Sequence, residues 1–122
     1  MILSVGLFIF IGRRYIMRTL RFIVDKQIID FDSTCDFEDI VPGTEGYLQA
    51  EFIFSPEWDG FVKVAGFIAG NVEQEPRILK DGKTCMIPSS ALKGNSFKTW
   101  IVGKKGNCKL ITNMILIHQN GG

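Results

Sequence analysis

The feature that most constrains the fold is a series of short β-forming runs, separated by turn residues about every 8 to 12 positions. The clearest run is YLQAEFIFS, residues 47–55. Its positions alternate in the period of two residues that is typical of a strand with one buried face. The side chains predicted to be buried are Leu48, Ala50, Phe52 and Phe54. Because long helix-forming runs are missing, we predict an all-β chain.

Turn residues divide the middle of the chain. PEWDG (residues 56–60) is predicted to reverse it, so that FVKVAGFIAG (residues 61–70) returns as the hairpin partner of residues 47–55. Asp81-Gly82 is the sequence of a type I′ hairpin, because both central residues of that turn need positive φ. PSSALKG (residues 88–94) is predicted to form one helical turn that ends at a glycine.

The remaining runs complete a sandwich. Residues 18–31 read as two short strands around Asp25-Lys26 or as one bent strand, and residues 96–119 as three more. The predicted total is eight or nine strands with at most one short helical turn, which favours an antiparallel β-sandwich of Ig-like architecture. A small β-barrel is the alternative. We assign residues 17–119 to a single domain and residues 120–122 to a flexible tail.

The first residues, MILSVGLFIFIGRRYIM, are apolar but too short to span a bilayer. Eleven residues precede Gly12, whereas a spanning helix needs about 20. A signal peptide carries its basic residues before the apolar run, and here the arginines follow it. Residues 1–16 are therefore either an extra edge strand or a leader that is not native to the protein. We favour the leader, because Gly12-Arg13-Arg14 can be encoded as GGA-AGG-AGG, a bacterial ribosome-binding sequence ahead of Met17.

Charge is segregated along the chain although the net charge is only +1. Twelve acidic and two basic residues lie between Asp25 and Glu75, and eight basic residues and one acidic residue follow from Pro76. The two halves either neutralise each other side by side or form opposite faces that can stack head to tail. Nucleic acid is not expected to bind, because the lysines are spread singly. The candidate interaction surface comprises Asp32, Asp36, Glu38, Asp39, Lys98, Trp100, Lys104 and Lys105.

Catalytic and metal-binding motifs are missing from the sequence. The three cysteines form no pair with metal-clip spacing, and their odd number fits a reducing compartment. His118 is the only histidine, and no nucleophile elbow, Walker loop or dinucleotide fingerprint accompanies it. The acidic loop, residues 32–46, fails the EF-hand template at Cys35 and Val41, which leaves only an irregular calcium site open. We predict a protein that is not an enzyme and needs no cofactor.

Several strings in the sequence occur together in a known kind of domain. YLQAEFIFSPEWDG, VAGFIAG, ILKDGKTCMIPSSALKGNSFKTWIVG and ITN together resemble a small β-domain of tail and baseplate proteins in phages and prophages of Firmicutes. The resemblance extends from about Arg18 to Gln119, and this chain departs from the pattern at Lys98 and Trp100. The residues expected to specify the fold are Trp58, Gly60, Asp81, Gly82 and Pro88.

The resemblance implies a structural module of the tail tip or baseplate. Such a module would assemble with itself and with other phage tail proteins, and would support binding to a host receptor or glycan; the segregated charge is what suggests head-to-tail assembly. It would have no catalytic residue and no membrane partner, and it would be found in the host cytoplasm during assembly and then in the virion. Two alternatives remain: a small phage-encoded inhibitor that occludes a host enzyme or defence protein, and a carbohydrate-binding domain that uses Trp58 or Trp100.

Overall fold

Ten strands and two 3₁₀ helices form the part of the chain that the computed structural model describes, residues 16–120. The strands are β1 (Arg18–Asp25), β2 (Ile28–Phe31), β3 (Leu48–Phe54), β4 (Val62–Ala69), β5 (Val72–Glu73), β6 (Arg77–Ile78), β7 (Thr84–Met86), β8 (Ser96–Lys105), β9 (Cys108–Ile111) and β10 (Ile115–His118). The 3₁₀ helices are Pro56–Trp58 and Ser89–Leu92. The predicted all-β class is confirmed, with one strand and one helical turn more than expected.

Two sheets face each other across the core. Sheet A has the strand order β2-β1-β3-β7, and sheet B has the order β10-β8-β4-β5. In sheet B, β6 also pairs with β4, and β9 also pairs with β8. Sheet B is curled like half a barrel, so the architecture is a β-sandwich with one strongly curved layer. The chain enters sheet A, crosses to sheet B, returns to sheet A for β7 and ends in sheet B.

The pairing of β1 with β3 is parallel, which corrects the expectation of a fully antiparallel sandwich. Arg18 lies opposite Leu48 at one end of this ladder, and Val24 lies opposite Phe54 at the other. The acidic loop, residues 32–46, makes this possible because it carries the chain from the end of β2 back to the start of β1. A parallel pair needs such a long connection.

The predicted hairpin between residues 47–55 and residues 61–70 is also wrong. β3 pairs with β1 and β7 in sheet A, whereas β4 pairs with β5, β6 and β8 in sheet B. Trp58 fills the corner between the two sheets with no exposed surface, and its Nε1 donates a hydrogen bond of 2.7 Å to the Lys26 carbonyl oxygen. Gly60 has a φ of +80°, which lets the chain continue into the other sheet.

Asp81 and Gly82 have the expected positive φ, 52° and 69°. The loop has three residues and not the two of a type I′ hairpin, because the single bridge beside it joins Lys80 to Thr84. On either side of this bridge, β6 pairs with β4 and β7 pairs with β3. The turn therefore moves the chain from sheet B to sheet A. Pro88 is buried and directly precedes the second 3₁₀ helix, in agreement with the predicted helical turn.

The core lies between the inward faces of the sheets. Leu48, Ala50 and Phe52 are buried as the alternation predicted, and Phe54 is partly buried against them. Phe52 stacks on Phe22 with ring centroids 5.2 Å apart. Each such large apolar side chain contributes about 1.5–3 kcal/mol when it leaves water, so burial of these residues dominates the stability of the fold.

Asn113 joins the edge of sheet A to sheet B. Its Oδ1 accepts a hydrogen bond of 2.8 Å from the Ile29 amide, and its Nδ2 donates to the Ile29 carbonyl oxygen at 3.5 Å. The Gln27 side chain adds a bond of 3.1 Å to the Ile111 carbonyl oxygen. Since β2 is an edge strand, these bonds occupy backbone groups that would otherwise be open for pairing.

Asn120, which we expected in the flexible tail, is held by two hydrogen bonds. Its amide donates to the Ile40 carbonyl oxygen at 2.9 Å, and its Nδ2 donates to Asp39 Oδ1 at the same distance. The predicted leader or edge strand lies outside the described residues, apart from its last residue, Ile16.

Candidate interaction surface

An apolar row crosses the solvent-facing side of sheet B. In register, Ile78 of β6 lies beside Val64 of β4, Val64 beside Val102 of β8, and Val102 beside Ile111 of β9. Ile78 is 73% exposed and Ile111 is also exposed, while the two valines are half-buried between them. The alternate residues of β4 and β8 point into the core, so this row faces solvent.

Trp100 lies at the centre of the same side of the sheet. It is only 8% exposed, because its ring lies directly over its cross-strand partner Gly66. A Cβ atom on Gly66 would be 2.4 Å from Cε2 and Cζ2 of the ring. Trp100 therefore forms the floor of this surface and is not the protruding contact residue that the sequence suggested. The sequence signal for this packing is Gly66, because a glycine within a strand often marks a position where another group approaches the backbone closely.

The residues on this side of sheet B define what we call the B face. Val62 lies beyond Val64 at one end, and Ile68, Met114 and Leu116 extend the apolar surface at the other. The apolar members of the B face are Val62, Val64, Ile68, Ile78, Trp100, Val102, Ile111, Met114 and Leu116. Its charged members are Glu73, Lys98, Lys104 and Lys109. The B face thus has an apolar centre, with Lys98 between Ile68 and Leu116 on one side of it and Lys104 between Val62 and Lys109 on the other.

The solvent-facing side of sheet A, the A face, differs from the B face. Its members, taken from the same alternation, are Thr19, Arg21, Ile23, Asp25, Ile28, Asp30, Gln49, Glu51, Ile53, Thr84 and Met86. Arg21 Nε is 2.8 Å from Glu51 Oε1, which forms an ion pair across β1 and β3. Among the strand residues, one positive and three negative side chains give the A face a net charge of −2, whereas those of the B face give +2. Basic side chains outside this count border the A face, Lys26 beside Asp25 and Asp30, and Arg77 and Lys80 beside Thr84 and Met86.

The predicted lysines divide between two locations. Lys98 and Lys104 are exposed on the B face with Trp100. Lys105 points the other way, with its Nζ 5.8 Å from the centre of the Phe61 ring and 3.4 Å from the Asp59 carbonyl oxygen. Two of the three lysines therefore belong to one surface, and Lys105 covers the corner near Gly60.

The predicted acidic residues lie in the loop beside sheet A, away from the B face. Asp32 Oδ1 accepts hydrogen bonds from the Thr34 amide at 2.9 Å and the Thr34 hydroxyl at 2.8 Å, and these bonds lower the pKa of Asp32. The Arg18 guanidinium donates to the carbonyl oxygens of Asp36, Glu38 and Asp39. Among the described residues, no three acidic, histidine or cysteine side chains group into an arrangement that would hold a metal ion.

The remaining titratable side chains are dispersed. Cys85 is buried, which raises the pKa of its thiol to about 12, and Cys108 is exposed on β9. His118 is exposed on β10 opposite Ser96, on the same side of the strand as Leu116 and so at the end of the B face. None of the helices in residues 16–120 is long and apolar enough to cross a membrane.

Sequence reasoning missed the apolar residues of the B face. Ile78, Ile111 and Leu116 lie in the runs RILK, CKLIT and MILIHQ, where neighbouring positions are both apolar. Such runs depart from the alternation of a strand with one wet face. This departure was the available signal that both sides of sheet B are apolar.

Comparisons with protein-family models, with curated proteins and with solved structures find no match to this chain.

Proposed function

We propose that this protein is a non-enzymatic structural module that acts by protein–protein assembly. The observation that carries the proposal is the B face, an apolar surface that extends across the full width of sheet B. Proteins that remain monomeric rarely expose contiguous apolar patches of more than a few hundred Å². Apolar residues surrounded by charged ones are typical of an interface, whose centre is depleted of charge and whose rim is polar.

Comparison with the A face supports an interface on the solvent-facing side of sheet B. Both sheets bury their inward side chains in the same core, but only sheet B is largely apolar on its second side as well. Ile78 and Val62 are 73% and 60% exposed, so these side chains do not contribute to the core. A partner that covered the B face would remove them from water, at about 25 cal/mol for each Å² buried.

The biological setting of the proposal comes from the sequence resemblance. We propose a component of a phage tail tip or baseplate that assembles with copies of itself and with other tail proteins, first in the host cytoplasm and then in the virion. Receptor or glycan binding would be a property of that assembly. The alternative of a carbohydrate platform loses its support, because Trp58 has no exposed surface and Trp100 only 8%.

The test is the oligomeric state of the full chain, measured by size-exclusion chromatography with light scattering over a range of concentrations. We expect the wild type to assemble and the double variant Val62→Lys/Ile78→Lys to assemble at least tenfold more weakly. Val72→Lys is the matched control, since Val72 is 61% exposed but pairs with Ala69 outside the B face.

Two results would contradict the proposal. One is a wild-type chain that stays monomeric at about 1 mM, a concentration at which a contact of about 4 kcal/mol would be half formed. This outcome would favour the inhibitor alternative, in which the partner is a host protein. The other is equal weakening by Val72→Lys and by the double variant, because the effect would then not belong to the B face.

A further inference from the structure

We infer that the partner of the B face is the A face of a second copy of this chain, so that copies stack head to tail. This inference rests on the proposed function, because it names the partner in the assembly proposed there. It is carried by the charge, the width and the apolar content of the two faces.

The charges of the two faces are complementary. The B face presents Lys98, Lys104 and Lys109, with Glu73 as its only acidic residue. The A face presents Asp25, Asp30 and Glu51, and only Glu51 has a basic partner within the same face. The strand residues of the two faces thus carry opposite net charges of +2 and −2, which favours a contact between unlike faces over one between like faces.

The two faces also match in width. Each is four strand positions wide, because β5 and β6 share one side of β4, and β9 and β10 share one side of β8. The strands of the A face have eight, four, seven and three residues, so the A face covers about 350 Å² in projection. A standard interface buries roughly 800 Å² per partner, so a single contact between the two faces is expected to be weak.

Apolar residues on the A face supply the other half of the contact. Ile23 lies beside Ile53 in register, and Ile28 lies beside Asp25 on the neighbouring strand. Ile28 and Ile53 are both exposed. Two sheets that pack face to face interdigitate such side chains about 10 Å apart, so these isoleucines would meet the Ile78–Val64–Val102–Ile111 row of the next copy.

A symmetric contact between two B faces is disfavoured by the same charges. It would bring the lysines of one copy against those of the other, and like charges across an interface oppose association. A contact between unlike faces leaves one free face at each end, so the assembly continues until it closes into a ring or extends as a filament.

Charge reversal on each face tests the inference. Asp25→Lys/Asp30→Lys makes both faces of a copy positive, and Lys98→Glu/Lys104→Glu makes both faces negative. We expect each variant alone to assemble about 100-fold more weakly than the wild type, since like-charged faces then meet. An equimolar mixture should regain assembly, because every contact in it again joins opposite charges.

Light scattering measures the recovery, and native mass spectrometry should find the two variants in equal numbers in each assembly. Recovery on mixing also shows that both variants are folded. The control is Lys93→Glu/Lys105→Glu, which changes the net charge equally at two exposed lysines outside the B face. We expect this control to assemble as strongly as the wild type, and added salt should weaken the assembly of both proteins to the same extent.

The possible failures are distinguishable. If Asp25→Lys/Asp30→Lys assembles alone as well as the wild type, the A face is not the partner, and the inference fails while the proposed function stands. If mixing the two variants does not restore assembly, the two faces do not meet, and again the inference fails while the proposed function stands. If the wild type itself stays monomeric, the proposed function fails.

Discussion

The contact between Gly66 and Trp100 allows a quantitative test of how sheet B is packed. In Gly66→Ala, the new Cβ would lie 2.4 Å from two atoms of the Trp100 ring, more than 1 Å inside normal carbon contact. β4 and β8 are paired along their length, so the ring must swing away from the sheet. Inserting a methyl group into a packed site costs about 1–3 kcal/mol, and we expect Gly66→Ala to destabilise the fold by that amount.

Gly66→Ala should stabilise the fold, and not destabilise it, once the Trp100 ring is removed. In a Trp100→Ala background, Gly66→Ala meets no obstacle and replaces a flexible residue within a strand, which stabilises by about 0.5–1 kcal/mol. The coupling free energy between the two positions is therefore about 1.5–4 kcal/mol. Urea unfolding of the four proteins of this cycle, followed by circular dichroism, measures it.

Gly103 provides the control for this cycle. A Cβ at Gly103 would lie 2.7 Å from Cζ3 of Trp58, which is fully buried and cannot swing out. Trp100→Ala should leave the cost of Gly103→Ala unchanged, because Trp58 and not Trp100 is the obstacle. Our reasoning is refuted if Gly66→Ala costs the same in the wild-type and Trp100→Ala backgrounds.

Two further predictions concern the edge of sheet A and the cysteines. Asn113→Ala removes both side-chain bonds to Ile29, and urea unfolding should show a loss of about 1–3 kcal/mol; an unchanged midpoint would mean that the bonds contribute nothing. The thiol of Cys85 stays protonated at pH 8, because burial raises its pKa to about 12. A thiol reagent should therefore label Cys108 in the folded protein and Cys85 only after unfolding, and equal rates would contradict the burial of Cys85.

Local features of the fold were predictable from the sequence because local sequence determines them. Alternation placed Leu48, Ala50 and Phe52 in the core, since the strand period of two leaves no other arrangement. Asp81 and Gly82 adopt positive φ, a conformation that few other residue types tolerate, so their presence in the sequence predicts it. Both results depend on neighbouring residues alone.

Strand partners were not predictable in the same way. β4 follows β3 closely, yet it pairs with β8, because Trp58 must be buried where the chain passes from one sheet to the other. The parallel pairing of β1 and β3 depends on a long loop without a strong sequence signal. The B face was missed for a related reason: a strand that is apolar on both sides can be read as fully buried.

The position of β7 has a consequence for how the protein unfolds. β7 completes sheet A, but β4, β5 and β6, which precede it in the chain, belong to sheet B. Neither sheet corresponds to a continuous piece of chain, so a cut between β6 and β7 leaves two fragments that each lack strands of both sheets. We therefore expect the domain to unfold in one cooperative step, and separate expression of either half to give no stable fragment.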